Sequence, residues 1–453
     1  MTAVLSFCGL CLLRVAGKAI RVALPILQRL YLPSAMIGGA LGLILLSTLG
    51  KYIPQEWHAS WGSLPGFLIN VVFAALFIGK KIPGIKQIWQ QAAPQFCMGQ
   101  MLAWGQYVVG LSVTLLVLIP LFKVNPAFGN LIEIGFEGGH GTVAGLSQTF
   151  ADFKWEAGRD LGFTVATIGM VLGIVLGMML VNLAIRKKWV SEVRPFNKQS
   201  LNERRGIYLE QDRPSAGVQT VQSDSIDSLA LHIAAIGLAI LFGYMLKSSL
   251  AYIDNFMPTC VQKLQVLKSF PLFPLCLVGG LILQKLLETL KLSHLICSEQ
   301  IDRLGGASLD FLVIAAMSSI RLDFVLAYWL PLLILVLCGI SWSLFMVLFM
   351  GPRIFKEHWF EKSIAEFGQS TGVTATGLLL LRTVDSKNKT SAMSSFGYKQ
   401  LLHEPFLGGG IITSLAVPLV ITSGILPFLI FTSLILLFWF GFYFFYLRPR
   451  NKK

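Results

Sequence analysis

Charge is what this chain of 453 residues has little of: only 13% of it is Asp, Glu, Lys or Arg, against 55% hydrophobic residues. A soluble domain of this length needs a charged surface, and that surface is missing. Its apolar runs instead approach about 20 residues, the length that crosses a hydrocarbon core of roughly 30 Å. Acidic residues are the scarcer kind, 23 against 37 Lys and Arg, so the net charge is +14. Basic residues interleaved with exposed aromatics are absent, which excludes a nucleic-acid surface; the excess fits the basic loops of a membrane protein. No basic segment precedes Leu5–Leu13, so a cleaved signal peptide is not expected. The seven cysteines fall mostly in apolar segments and read as small buried hydrophobes.

The apolar runs divide the chain into ten expected spans and a last one. The first run, residues 3–13, passes into a basic amphipathic stretch, 14–29. Further spans are expected near 33–49, 64–79, 96–122, 161–185, 229–250, 270–290, 308–320, 327–350 and 406–422, then 426–447. Residues 186–227 are polar and basic and read as a cytoplasmic linker. Two stretches fit no ordinary span, being rich in Gly, Ser and Thr in an apolar context: 126–150 and 363–382. Irregular backbone at membrane depth needs protein or a watery cavity around it, so both are expected to be re-entrant hairpins.

With the N-terminus outside, and each hairpin returning to the side it leaves, most Lys and Arg fall on the inner face. The linker and the tail 448–453 lie there too, as expected of a multi-pass protein of the cytoplasmic (inner) membrane. Residues 1–185 and 228–425 then become five-span halves of opposite topology, and 426–453 is an additional helix with a basic tail. Pro33-x4-Gly38-Gly39 returns as Pro274-x4-Gly279-Gly280, and Ala74-Ala75 as Ala315-Ala316, both 241 residues on. Thr142, Gly145 and Leu146 return as Thr374, Gly377 and Leu378, 232 residues on. The fold class expected is therefore an all-α integral membrane protein of two inverted repeats, each with a hairpin, plus one C-terminal helix.

Gly-rich turns between half-helices bring bare backbone to a ligand: N–H groups for an anion, carbonyls for a cation. Gly138, Gly139, His140, Gly141 and Thr142 are the substrate-binding candidates of the first hairpin. Ser370, Thr371, Gly372, Thr374 and Thr376 are those of the second. His140 is equally readable as a ligand or proton carrier and as a brace that bonds backbone. Glu137 and Glu366, and less strongly Asp310, are intramembrane carboxylates and candidates for binding a cation. Arg382 could meet a second carboxylate of a substrate or anchor a helix end at the cytoplasmic face. His403-Glu404 is expected at the interface. No nucleophile with a base and an orienting group can be assembled, so an enzyme is not expected.

Gly138-Gly139-His140-Gly141-Thr142 resembles the GGHGT signature of the sodium:glutamate symporter family. The segment Glu366–Arg382 resembles that family's second hairpin, and Pro33…Gly38-Gly39 its second span. The resemblance implies a sodium-coupled secondary transporter, with a scaffold that makes a homodimer and a hairpin-bearing part that moves like an elevator. It implies Na⁺ as a co-transported ion with no permanently bound cofactor, and a small anionic substrate such as glutamate. Two features depart from the pattern. Glu137 stands where the family has a small or hydroxyl residue, and Thr371–Thr376 lacks the family's proline.

Overall fold

A computed structural model describes residues 2–29, 32–80, 85–190, 200–254, 256–257, 272–385 and 389–448. All regular structure among these residues is helical, with no strand. In chain order the principal helices are α1 (Thr2–Ala23), α2 (Ser34–Leu49), α3 (Gln55–Ala75), α4 (Ile85–Val113, prolonged to residue 122), α5 (Leu131–Phe136) and α6 (Gly139–Gly145). Then follow α7 (Ala157–Arg186), α8 (Ser228–Asp254), α9 (Leu272–Thr289), α10 (Ser298–Ser318) and α11 (Trp329–Phe345, prolonged to residue 354). The last are α12 (Trp359–Val384), α13 (Ala392–His403), α14 (Ile411–Ser423) and α15 (Ile425–Phe442, prolonged to residue 447).

Six of the described helices are long and apolar enough to cross a membrane: Ala92–Phe122, Ala157–Arg186, Ser228–Asp254, Leu272–Thr289, Trp329–Ile354 and Ile425–Leu447. Three other apolar helices are shorter: Ser34–Leu49, Ala59–Ala75 and Ile411–Ser423. α1 and α10 are long but carry charge, and one ion pair joins them. Arg14 of α1 meets Asp310 of α10 at 2.6 Å and also donates to the Ser34 hydroxyl. The first run continues into the basic stretch as expected: α1 runs on to Ala23, and a short helix, Pro25–Arg29, follows. Further along, Lys18 and Arg21 donate to the carbonyls of Arg204, Arg205 and Gly206, tying the polar linker to α1.

The helices pack as two groups. In one, α1, α2, α3, α8, α9 and α10 lie against one another; in the other, α4, α5, α7, α11, α12, α13 and α15 do so. Each group draws on residues from before and after the linker. Small residues let backbones meet where water gives no apolar driving force. A Cβ on Gly38 would come within 2.6 Å of the Leu13 carbonyl oxygen, and one on Gly279 within 2.1 Å of that of Ala239. The two Pro-x4-Gly-Gly copies thus do the same work, α2 against α1 and α9 against α8. The short helix α6 contacts both groups, touching α3 and α10 on one side and α7 on the other.

Among the cysteines, Cys97, Cys276 and Cys297 are buried as expected, whereas Cys8 is exposed. Cys8 and Cys11 stand at CxxC spacing, one turn apart on α1, and both are free. Cys260 lies outside the described residues.

Candidate functional site

The site is organised by two interruptions of helix. α5 stops at Phe136 and α6 starts at Gly139, whose φ of +68° is a conformation that favours glycine. α12 is broken at Gly372 (φ −152°) and Val373 (φ +65°). Beyond that point the chain folds back on itself. A Cβ on Gly368 would lie 2.6 Å from the Cα of Gly377, whereas nine residues of straight helix span roughly 14 Å.

The two breaks touch. A Cβ on Gly139 would come 2.3 Å from Cγ1 of Val373. α7 passes behind them, with Gly169 facing the Thr371 carbonyl and Gly173 facing its hydroxyl. α4 holds the second break from another side, as the Gln106 amide donates to the Ser370 carbonyl oxygen at 2.5 Å.

Most candidate residues of both stretches lie buried here, but many of their polar groups are already used. The Thr142 hydroxyl donates back to the Gly138 carbonyl at 2.9 Å, and the Thr371 hydroxyl to that of Phe367 at 2.7 Å. Ser370 also turns its hydroxyl to the Phe367 carbonyl, at 3.3 Å. Thr376 is buried next to Gly372. His140 Nε2 lies 2.9 Å from the Thr167 hydroxyl, which spends its own proton on the Phe163 carbonyl. So Nε2 carries the hydrogen, Nδ1 is an acceptor, and the ring stacks on Phe163. That arrangement braces α6 against α7. Nδ1 is buried with no partner among the described residues.

Two candidates lie elsewhere. Asp310 joins α10 to α1 through Arg14 and serves neither break. Arg382 is exposed near the end of α12, about 15 Å of helix beyond Gly372.

Beside the breaks runs a buried polar network centred on the two carboxylates. Glu137 Oε1 is 2.6 Å from His403 Nε2 and 3.3 Å from the Gln369 amide nitrogen. Gln369 Oε1 accepts from Lys399 at 2.7 Å, and Lys399 in turn meets Glu366 Oε2 at 3.1 Å. Glu366 Oε1 accepts from Gln95 of α4 at 2.7 Å. On the far side of His403, Gln100 donates to Nδ1 at 3.1 Å while its own oxygen accepts from the Trp104 indole. An indole only donates, so Gln100 has its amide nitrogen toward His403, and His403 must donate from Nε2 to Glu137. Thr374 belongs to a flanking set, donating to Glu404 at 2.9 Å and accepting from Gln400 at 2.6 Å.

Glu133, one turn before Glu137, is fully buried and hydrogen-bonded at both oxygens. It accepts from Tyr107 at 2.5 Å, the Gly408 N–H at 2.9 Å and Thr413 at 2.7 Å. It pins the glycine turn 408–410 to α5. His403, expected at the interface, is completely buried, while Glu404 is half-buried.

Lys399, Gln95, Gln100, Gln369 and Glu133 escaped the sequence reading. One signal existed: Lys399 and His403, like Gln400 and Glu404, are four apart and share a face of helix. Glutamines at 95, 100 and 106 within an apolar span are another.

A cavity of about 330 Å³ opens on the seam between the groups, lined by Gly66 and Asn70 of α3, Ala144 and Gly145 of α6, and Lys247 of α8. Its described lining includes neither Glu137 nor His403. Hard oxygen donors and buried amides can hold an alkali cation or orient a small polar solute.

Residues 1–358, more than half of the chain, match the sodium/glutamate symporter family. The chain belongs to that family. Comparison with curated proteins returns no match. Membership makes this symporter a membrane transport protein of a family that carries glutamate with sodium. The match takes in the first break and ends one residue before α12. The second break, Glu366, Lys399 and His403 of the symporter thus lie beyond it.

Proposed function

We propose that the chain is a sodium-coupled symporter for glutamate or a related small carboxylate, with its binding site where the two helix breaks meet. The observation that carries this reading is the contact of Gly139 with Val373, which brings the backbone of both irregular stretches to one place inside the protein. Backbone freed from helix at such a place is what an anion and its co-ion require. The inverted five-helix repeats are supported by the matching Pro-x4-Gly-Gly contacts and by the fold-back of α12. Both irregular stretches are read as re-entrant, and the boundaries are residues 1–185, 186–227, 228–425 and 426–453.

Glu137 and Glu366 are the cation-binding candidates; Gly138–Thr142 and Ser370–Thr376 are those for the substrate. An elevator movement suits two packed groups joined at α6, with the group that holds both breaks moving against the other. A homodimer through the first group, an inner-membrane location and an outward N-terminus complete the reading.

Uptake of radiolabelled glutamate by proteoliposomes under an imposed Na⁺ gradient tests it, against a panel of dicarboxylates and neutral amino acids. Na⁺-driven accumulation of one of these carboxylates is expected; accumulation indifferent to Na⁺ overturns it. One contact favours a second reading, coupling to protons: Glu137 and His403, 2.6 Å apart and buried, form a pair able to exchange a proton. Uptake that follows a pH gradient without Na⁺ selects that reading.

A further inference from the structure

A lysine without exposed surface is costly anywhere, and more so at bilayer depth. Lys399 has 0% relative exposure, and its surroundings are shaped to it. Nζ reaches Glu366 Oε2 at 3.1 Å and Gln369 Oε1 at 2.7 Å, and it lies 5.7 Å from the centre of the Phe396 ring. Gly99 of α4 leaves the room: a Cβ there would stand 2.3 Å from Lys399 Cε and 3.0 Å from Glu366 Oε2. Gln95 holds the other oxygen of Glu366 in place.

Glu366 and Gln369 are three residues apart on the half-helix that ends at Gly372, so their oxygens converge on one side, one turn before the break. The same Gln369 hands its amide to Glu137, which links this point to the first break. A buried carboxylate in that position requires a positive partner. A carboxylate and an amide oxygen are also hard donors of the kind that coordinate alkali ions. The chain supplies the charge itself.

We propose that the Lys399 ammonium is a tethered cation. It fills the Glu366–Gln369 oxygen site that a free sodium ion would otherwise occupy, so the carrier moves with one co-transported cation fewer than its oxygen donors could bind. The inference rests on the cation-coupled reading above. It deepens that reading by assigning Glu366 to an internal partner and leaving Glu137 as the carboxylate for the free ion.

The test uses the full chain in three forms: unaltered, Lys399→Met, and Lys399→Met with Glu366→Gln. Two quantities are read, the Na⁺:substrate stoichiometry from reversal potentials in proteoliposomes and the Tm in NaCl against choline chloride. Lys399→Met should gain one Na⁺ per cycle, and NaCl should raise its Tm by about 5 °C more than it raises that of the unaltered protein. The double variant, having lost the carboxylate as well, should return to the original stoichiometry. Lys399→Met with unchanged stoichiometry and no added sodium response overturns the proposal. A Lys399→Met protein that NaCl cannot rescue overturns it too, whether or not the double variant folds, because a free ion has then failed to replace the ammonium. Absence of Na⁺-driven uptake by the unaltered chain defeats the sodium-coupled reading instead, and the Tm comparison still decides the Lys399 site.

Discussion

The two helix breaks lie side by side and are made by different means. The first is a glycine break: Gly139 takes a positive φ at little cost, and its own polar residues, Glu137 and His140, find their partners on other helices. In the second, Gly372 leaves the helix at a negative φ and the positive φ falls on Val373, a β-branched residue for which that conformation costs about 1–3 kcal/mol. The valine is held there because the two halves of α12 close on each other at Gly368 and Gly377, and because its Cγ1 fits where Gly139 has no side chain. A break written in glycine can form alone. One written in valine depends on its neighbours, and here the chief neighbour is the other break.

That dependence can be attacked directly. Gly139→Ala should have the largest effect, since it strains a φ of +68° and drives a methyl group into Val373. Loss of about 3 kcal/mol of stability, read as a lowered Tm, and loss of Na⁺-driven uptake are expected. Adding Val373→Gly to it should recover about 1 kcal/mol; full additivity in this double-mutant cycle would mean that the breaks are independent.

Gln369→Leu removes the amide shared by Lys399 and Glu137, leaving two buried charged groups short of a partner. A loss of about 2–3 kcal/mol in Tm measurements is expected, with weakened Na⁺ dependence of uptake. Gln106→Leu takes the donor from the Ser370 carbonyl at the second break. It should cost about 1–2 kcal/mol while His140 and the first break stay intact, which protection of their amides in hydrogen exchange would report. Arg382→Ala, at an exposed position, should be the mildest: Tm and uptake within about twofold of the original. A collapse of uptake would return Arg382 to the substrate.

How much of this was legible depends on what a residue type announces. Gly138–Thr142 announced itself because five small or polar residues in an apolar context have few other uses. The location of the second break was legible from Gly372 and its hydroxyl neighbours, but the strain at Val373 was not, since a valine in sequence looks like helix or core. Lys399 was counted with the basic residues of the inner face, and His403 with the interface. A lysine at the end of a weakly apolar stretch looks the same whether the chain surfaces there or turns inward. Only the packing of α13 against α4 and α12 separates the two cases. The hydroxyls of Thr142, Ser370 and Thr371 were candidate ligands by type; that they cap their own helical turns is a matter of rotamer, which spacing does not reveal.

The last helix has a consequence for the speed of any such movement. α15 packs on α4 through Trp439, edge-on to Phe96, and turns Leu434, Leu437, Phe438 and Phe445 outward. The same α4 carries Gln95, Gln100 and Gln106, so in the proposed elevator movement the buried polar network and this outer blade would travel together. If they do, a full-length apolar helix would have to displace acyl chains along its path. Membrane viscosity and thickness would then enter the turnover rate as mechanical drag, and trimming the outward side chains of α15 would change how fast the carrier cycles without touching the buried network.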